Sequence, residues 1–283
     1  MASSHDELKQ WIGKSETQVD EASPKPLRAL AAALDRDDPE PQPGSAIPPC
    51  WHWLYFFPLP RQSEIGPDGH PRRGGFLPLV PLPRRMWAAS RLEWLVPLRV
   101  GETIIRASRI VDVSTKDGRT GPLVFVRVRH EVSSNEELAI IEEQDIVYRD
   151  VAKPGELGPS AAAPPCSDWR RVIQPHPALL FRYSALTFNA HRIHYDRPYA
   201  MNVEHYPGLV VQGPLIATLL LDLLRRNLPN VQVRRFSFRA IKPTFDLAAF
   251  KICGTRTRDG ASAQIWAEHP DGALAMDATA SLG

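Results

Sequence analysis

Two stretches far apart in this chain repeat one pattern of strand-like runs and polar turns. In the first, Thr103 to Ser114, Leu123 to Ser133 and Leu138 to Tyr148 are strand-like, and Lys116-Asp117-Gly118 and Ser134-Asn135-Glu136 separate them. In the second, Leu247 to Thr257, Ala263 to His269 and Ala273 to Leu282 follow in the same order, divided by Arg258-Asp259-Gly260 and Pro270-Asp271-Gly272. Runs of this kind joined by tight polar turns predict antiparallel meanders. A proline-containing step introduces each, Val96-Pro97-Leu98 in one and Lys242-Pro243-Thr244 in the other. We read the repetition as an internal duplication, which asks one chain to build two similar sheets.

The chain of 283 residues can bury a large core, as one big domain or as two packed halves. Hydrophobic residues at 43% exclude wholesale disorder, and 34 basic against 32 acidic residues leave too little charge to make a nucleic acid the main partner. Met1 to Asp20 is polar, with no basic-then-apolar leader, and no window reaches the roughly eighteen apolar residues of a membrane span. The expected setting is therefore the cytoplasm, without a membrane partner. Cys50, Cys166 and Cys253 are odd in number and unclustered, so reduced thiols and no metal site are expected. The 28 prolines fall largely in Ser23 to Pro83 and Pro154 to Pro177, which read as connectors. The expected organisation is a first repeat over 1–153, a Pro-rich linker over 154–176 and a second repeat over 177–283.

Ser23-Pro24 ahead of Leu27, Leu30, Ala31 and Leu34 predicts a short amphipathic helix that stops before Asp38-Pro39. The aromatic run from Trp51 to Phe57 reads equally as a buried strand or as a lid over a cavity. Leu179 to Thr187 alternates enough to predict a strand, and NAHRIHYDRPYA after it predicts a polar loop beside a cavity. After Gly213-Pro214, the apolar Ile216, Leu219, Leu220, Leu223 and Leu224 predict a helix over Leu215 to Leu228, buried on most sides and wrapped by a sheet.

Asn189, His191, His194, Tyr195 and Asp196 lie between that predicted strand and the glycine-led helix. Histidine is the side chain best matched to proton transfer near neutral pH. The unpaired backbone N–H groups at a helix start can hold an oxygen as it gains negative charge, and a glycine there lets a ligand approach closely. Together these residues suggest an acid or base facing an oxyanion site.

The segment FRYSALTFNAHRIHYD, followed by YPGLVVQGPLIATLLLDLL, resembles the MaoC-like, or hydratase 2, branch of the hot-dog fold. With LPRRMWAASRLEW in the first half, the layout over about residues 24–283 is similar to the two-repeat mesaconyl-CoA and itaconyl-CoA hydratases and to the mitochondrial 3-hydroxyacyl-thioester dehydratases. The resemblance implies an α+β double hot-dog, in which antiparallel sheets wrap helices, and reversible addition of water to a 2-enoyl thioester. It implies catalytic roles for Asn189 and His194, which would hold the water, and for the Gly213 N–H, which would polarise the thioester carbonyl. The family motif carries an aspartate where this chain has Asn189, and many relatives carry a histidine at Gln212. His191 or Asp196 is expected to complete a proton relay, and Val211 and Gln212 to border the substrate. The first repeat is expected to cover the acyl group without chemistry of its own. Arg84, Arg85, Trp87 and Arg91 are then candidates for reading a distal carboxylate, which an arginine can hold bidentately. Arg225 and Arg226 are explained by their place at a helix C-terminus.

The expected substrate is a branched dicarboxylyl-CoA converted to citramalyl-CoA, with coenzyme A as part of the substrate and no separate cofactor. A homodimer is expected by analogy. Dehydration of 3-hydroxyacyl chains on acyl carrier protein, and a silent thioester-binding protein, remain alternatives.

Overall fold

The computed structural model describes residues 5–118, 121–151 and 161–283. Among them, ten strands form one antiparallel sheet, and five helices pack on it. In chain order the first half holds α1 (His5–Lys9), β1 (Ser15–Glu21), α2 (Pro24–Ala33), β2 (Arg84–Trp94), β3 (Thr103–Gly118), β4 (Gly121–Ser134) and β5 (Glu137–Arg149). The second holds β6 (Trp169–Ile173), α3 (Pro177–Leu186), α4 (Arg197–Asn202), α5 (Gly213–Asn227), β7 (Val233–Ala240), β8 (Phe250–Arg256), β9 (Ser262–Glu268) and β10 (Leu274–Leu282).

The strand order is β1-β3-β4-β5-β2-β7-β10-β9-β8-β6. Reading inward from either edge gives the same succession: first strand, then the three-strand meander, then the second strand. The halves meet where β2 pairs antiparallel with β7, from Ala89↔Arg239 to Glu93↔Arg235. This is an α+β double hot-dog fold.

The second half of the sheet wraps α5, whose residues Leu215 to Leu224 are all buried. Leucines at almost every turn make it apolar on all sides, so it is stable only inside protein. Its one buried charge, Asp222, lies against Arg36 (2.5 Å), Arg171 (2.8 Å) and Arg226 (2.8 Å). Arg226 is thus spent inside the fold, and Arg225 pairs with Asp38 at 3.2 Å. A buried carboxylate requires such partners.

Several elements differ from the sequence expectation. Residues 179–187, predicted as a strand, lie in helix α3 and the turn after it. Pro177 opens that helix, and Leu180, Tyr183 and Ser184 bury one helical face. The aromatic run is not a strand: Trp51–Leu54 is a 3-10 turn with Trp51, His52 and Leu54 buried. The polar start carries β1, paired with β3. The Pro-rich linker lies partly outside the described residues, at 154–160, and its later part holds β6, paired with β8 from Trp169↔Gly254 to Ile173↔Phe250. No helix among the described residues is long and apolar enough to cross a membrane.

Candidate active site

The end of α3 sets the first site residue. Thr187 terminates the helix, Phe188 turns through φ 49°, and the Asn189 N–H donates to Ser184 O at 2.8 Å. The Asn189 side chain then accepts the His191 backbone N–H through Oδ1 at 3.0 Å. Its amide Nδ2 has no protein partner among the described residues. A 3-10 turn, Arg192–His194, follows.

His194 is buried, and its Nδ1 lies 2.7 Å from Val210 O. A carbonyl can only accept, so Nδ1 carries the proton and, in the neutral ring, Nε2 is left with a bare lone pair. Burial pushes the His194 pKa down to about 4, against the pull of the Val210 carbonyl. The ring is therefore neutral at ordinary pH and able to accept a proton. The carbonyl that fixes this tautomer is three residues upstream of Gly213. That strap is pinned from both sides, since Val210 N–H donates to Ile193 O (2.9 Å) and Val211 N–H to Thr244 O (2.8 Å).

At the start of α5 no side chain caps the helix. Pro214 has no N–H, so Gly213 and Leu215 present the free donors of the first turn. A Cβ built on Gly213 would meet only Trp87 O, at 3.9 Å. The Cα of Gly213 is thus open to close approach on that side, and β2 of the first half borders it.

The first half also reaches the imidazoles directly. Asp68 O accepts the Arg192 N–H (2.9 Å) and Pro67 O accepts Arg192 Nη1 (2.9 Å). Gly69, at φ 88°, lies so close to the histidine loop that a Cβ would overlap Ala190 O at 1.8 Å. This seats His70 with its ring 4.0 Å from that of His191, which in turn stands edge-on to His194 at 5.3 Å. His70 Nδ1 donates to Asp68 Oδ2 at 3.1 Å. Burial pushes the Asp68 carboxyl up, but hydrogen bonds from His70 and the charge of Arg85 outweigh it and hold the group below its usual range. Burial also lowers His70 and, with repulsion from His70, His194 and Arg85, takes His191 far down. Ligating atoms of Asp68, His70 and His191 all lie within 4.8 Å of one another, the one such cluster among the described residues.

The family model for hydroxyacyl-thioester dehydratase type 2 matches residues 50–246. The chain belongs to this family. It is 47% identical to a mesaconyl-C(4)-CoA hydratase of Chloroflexus aurantiacus, over 96% of this chain and 97% of that one. It is 29% identical to the mitochondrial hydroxyacyl-thioester dehydratase type 2 of Schizosaccharomyces pombe, over 75% of this chain and 79% of that one. Among solved structures, a MaoC-like dehydratase from Phytophthora capsici superposes with a TM-score of 0.71 at 14% identity, over 99% of this chain and 98% of that one. A Mycobacterium tuberculosis protein with a double hot-dog fold superposes at 0.61 with 13% identity, over the whole of this chain and 99% of that one.

For a member of this family, the remaining residues singled out from sequence divide sharply. Arg84 is buried and committed to Glu204, by Nε to Oε2 at 2.7 Å and by Nη2 to the backbone carbonyl, with its guanidinium over the Tyr206 ring. It has no free donor fork for a substrate, which corrects the sequence expectation. Arg91 is on the outer face of the sheet, paired with Asp145 (3.0 Å) and Glu143 (3.3 Å), because β2 alternates and Ser90 and Leu92 face inward. It cannot read a substrate. Arg85 differs in having no salt-bridge partner among the described residues; with the committed Arg84 it borders a small cavity lined also by Asp68, His191, Glu204 and Tyr206. Trp87 lies by the helix start and donates from Nε1 to Ser90 Oγ at 2.8 Å. Gln212 is buried and its Nε2 donates to Leu180 O and Ser184 Oγ, both at 2.9 Å, so it ties α5 to α3. Val211 belongs to the main apolar core. Asp196 caps α4, accepting Tyr199 N–H at 3.0 Å, and pairs with Arg192 at 2.7 Å, which takes it out of any relay with His194.

Sequence reasoning missed Asp68 and His70. The only signal was Pro67-Asp68-Gly69-His70, an ordinary turn until the fold lays it against the histidine loop.

Proposed function

We propose that the protein adds water across the double bond of a short dicarboxylyl enoyl-CoA, with mesaconyl-C4-CoA or itaconyl-CoA as substrate and citramalyl-CoA as product. The observation that carries this reading is the fixed tautomer of His194, with Nδ1 held by the strap that leads into the uncapped start of α5 and Nε2 left bare. Close identity to a mesaconyl-C(4)-CoA hydratase over nearly the full length supports the substrate class.

In this reading, for mesaconyl-C4-CoA, whose double bond is conjugated with the thioester, the Gly213 N–H hydrogen-bonds the thioester oxygen and draws electron density from that double bond. Asn189 Nδ2 donates to a water that donates in turn to His194 Nε2. The water oxygen bonds the β-carbon while one of its protons passes to Nε2, and the π pair moves to the α-carbon and the thioester oxygen. The proton then goes to the α-carbon. Only protons and one electron pair move, so the chemistry asks for no cofactor beyond the coenzyme A of the substrate. In mesaconyl-C4-CoA the carboxylate sits on the β-carbon itself, so its cation belongs beside the imidazoles. Arg85, which makes no salt bridge among the described residues and borders the cavity with His191, suits that place.

Trp53 packs edge-on against Trp87 at 5.0 Å and against Phe238 at 6.3 Å. This aromatic cover favours a short acyl group over a long chain on acyl carrier protein. Three free cysteines suit a reducing, cytoplasmic setting. A homodimer is the expected assembly, to be read by sedimentation. The test is loss of enoyl absorbance with crotonyl-, mesaconyl- and long-chain enoyl-CoA. His194→Ala should lower turnover of the preferred substrate by about a thousandfold with the fold intact; near-normal turnover would remove the assignment.

A further inference from the structure

His194 gains a positive charge when it takes a proton from water, and it does so in a buried place. The carboxylates around it are mostly spoken for. Asp196 pairs with Arg192, Glu204 with Arg84 and the Tyr199 hydroxyl, and Asp246 with Arg197. Asn189 brings no charge. One carboxylate is aligned with the imidazoles: Asp68, hydrogen-bonded to His70 at 3.1 Å, with His70, His191 and His194 following at ring separations of 4.0 Å and 5.3 Å.

We propose that Asp68 and His70, carried by the first half, are positioning residues for the reaction, forming with His191 and His194 a row that balances the charge His194 acquires. The inference rests on the hydration reading above. The loop is built to hold this place. Gly66 N–H donates to His70 O at 2.7 Å, Ile65 bridges Pro71, and the Arg192 contacts dock the loop on the histidine turn. Because an ionised carboxylate only accepts, His70 Nδ1 carries a proton and the neutral ring leaves Nε2 unprotonated on its other side. Arg85 and Arg73 also face His70, Arg85 and His70 face His191, and His70 faces His194; positive charge on any of them opposes charge on the imidazole it faces, and Asp68 is the carboxylate hydrogen-bonded to the row. No proton is lost in the cycle: the one taken from water by Nε2 of His194 goes on to the α-carbon, and the row steadies the interval between.

Asp68→Asn keeps the shape of the side chain and removes its charge. We expect Asp68→Asn and His70→Gln each to lower kcat roughly ten- to a hundredfold with KM within about twofold. The double variant should be no slower than the worse single one, because both break the same row. By 15N NMR of labelled histidine, the wild type should show His70 protonated at Nδ1, and Asp68→Asn should move the His194 titration down by roughly half a pH unit or more. An unchanged kcat in Asp68→Asn, losses that multiply, or an unmoved His194 titration would each overturn the proposal. So would one equivalent of bound divalent metal with activity abolished by a chelator, which would make the cluster a metal centre. The NMR arm needs no turnover: if the wild type hydrates no enoyl-CoA, the substrate reading falls while the His194 titration still decides the row.

Discussion

The two halves share a strand order and differ in what the sheet encloses. In the second half the sheet wraps a helix of fifteen residues, and that helix brings an uncapped N-terminus into the interior. In the first half the concave face is covered by the 3-10 turn Trp51–Leu54 instead. That turn is hooked to Glu142, a fully buried carboxylate that accepts from His52 Nε2 (3.2 Å), Trp53 Nε1 (3.0 Å) and Ser90 Oγ (3.0 Å). The same wrap thus yields free backbone donors where a helix fills it and a closed aromatic cover where a hydrogen-bonded turn does. Without the helix, the first half also has chain to spare, and residues 64–72 of that chain land on the histidine loop of the other half.

If the division is right, damage to the two centres should read out differently. His194→Ala removes activity and leaves stability. Glu142→Gln should do the opposite, because it strips a buried pair of one partner: a loss of about 3 kcal/mol, seen as a thermal midpoint lower by roughly ten degrees. A Glu142→Gln protein with an unchanged midpoint would show that the first-half cluster is not what holds the cover.

The pH responses should also separate. Burial holds folded His130 and His194 at about 4 instead of 6.5. Between those values the unfolded chain binds protons that the fold refuses, so stability falls as pH drops from about 6.5 towards 4. Glu142 works in a lower window. Burial raises its pKa, but His52, His130 and Trp53 more than offset that and depress it to about 2. Its contribution is complete above about 4.5 and is lost as pH falls towards 2. Thermal midpoints across pH should show both steps, with the upper one reduced in His130→Gln. Turnover, in contrast, should lack a limb near 6.5 assignable to His194, whose base form persists down to about pH 4.

A smaller effect should come from the cover itself. Trp53→Ala opens space beside Trp87 and should raise kcat/KM for a six-carbon enoyl-CoA relative to the four-carbon one, by about tenfold. An unchanged ratio would place the acyl group elsewhere. The smallest contrast is within one strand. Arg85→Ala should raise KM for the dicarboxylyl substrate and spare crotonyl-CoA. Arg91→Ala, on the outer face with its side chain 42% exposed, should alter neither KM nor stability by more than about 0.5 kcal/mol.

Much of this architecture was legible because its signals are local. The six meander strands announced themselves through their turns, and α5 through its leucines. The strands that sit at the sheet edges or join the halves were harder. β1 alternates exposed and half-buried residues, and β6 is five residues beside prolines, so neither carries a continuous apolar run. In LLFRYSALT the residues at 180, 183 and 184 bury a helical face, but the short run mimics alternation until packing chooses. Arg84, Arg85 and Arg91 look alike as text, and only the pleat and its partners commit Arg84 to Glu204, place Arg91 with Asp145 on the outer face and leave Arg85 without an ion pair among the described residues.

The sequence by itself determined the repeated sheet, the buried helix with its glycine start and the histidine loop ahead of it, because turn chemistry and hydrophobic spacing act between near neighbours. Tertiary structure alone decided which tautomer His194 adopts, which of Arg84, Arg85 and Arg91 makes no salt bridge among the described residues, and that Asp68 and His70 stand beside His191. Those outcomes depend on groups pressed together from sixteen residues apart, at His194 and Val210, to more than a hundred, at His70 and His191, where burial and hydrogen-bond partners set charge and orientation.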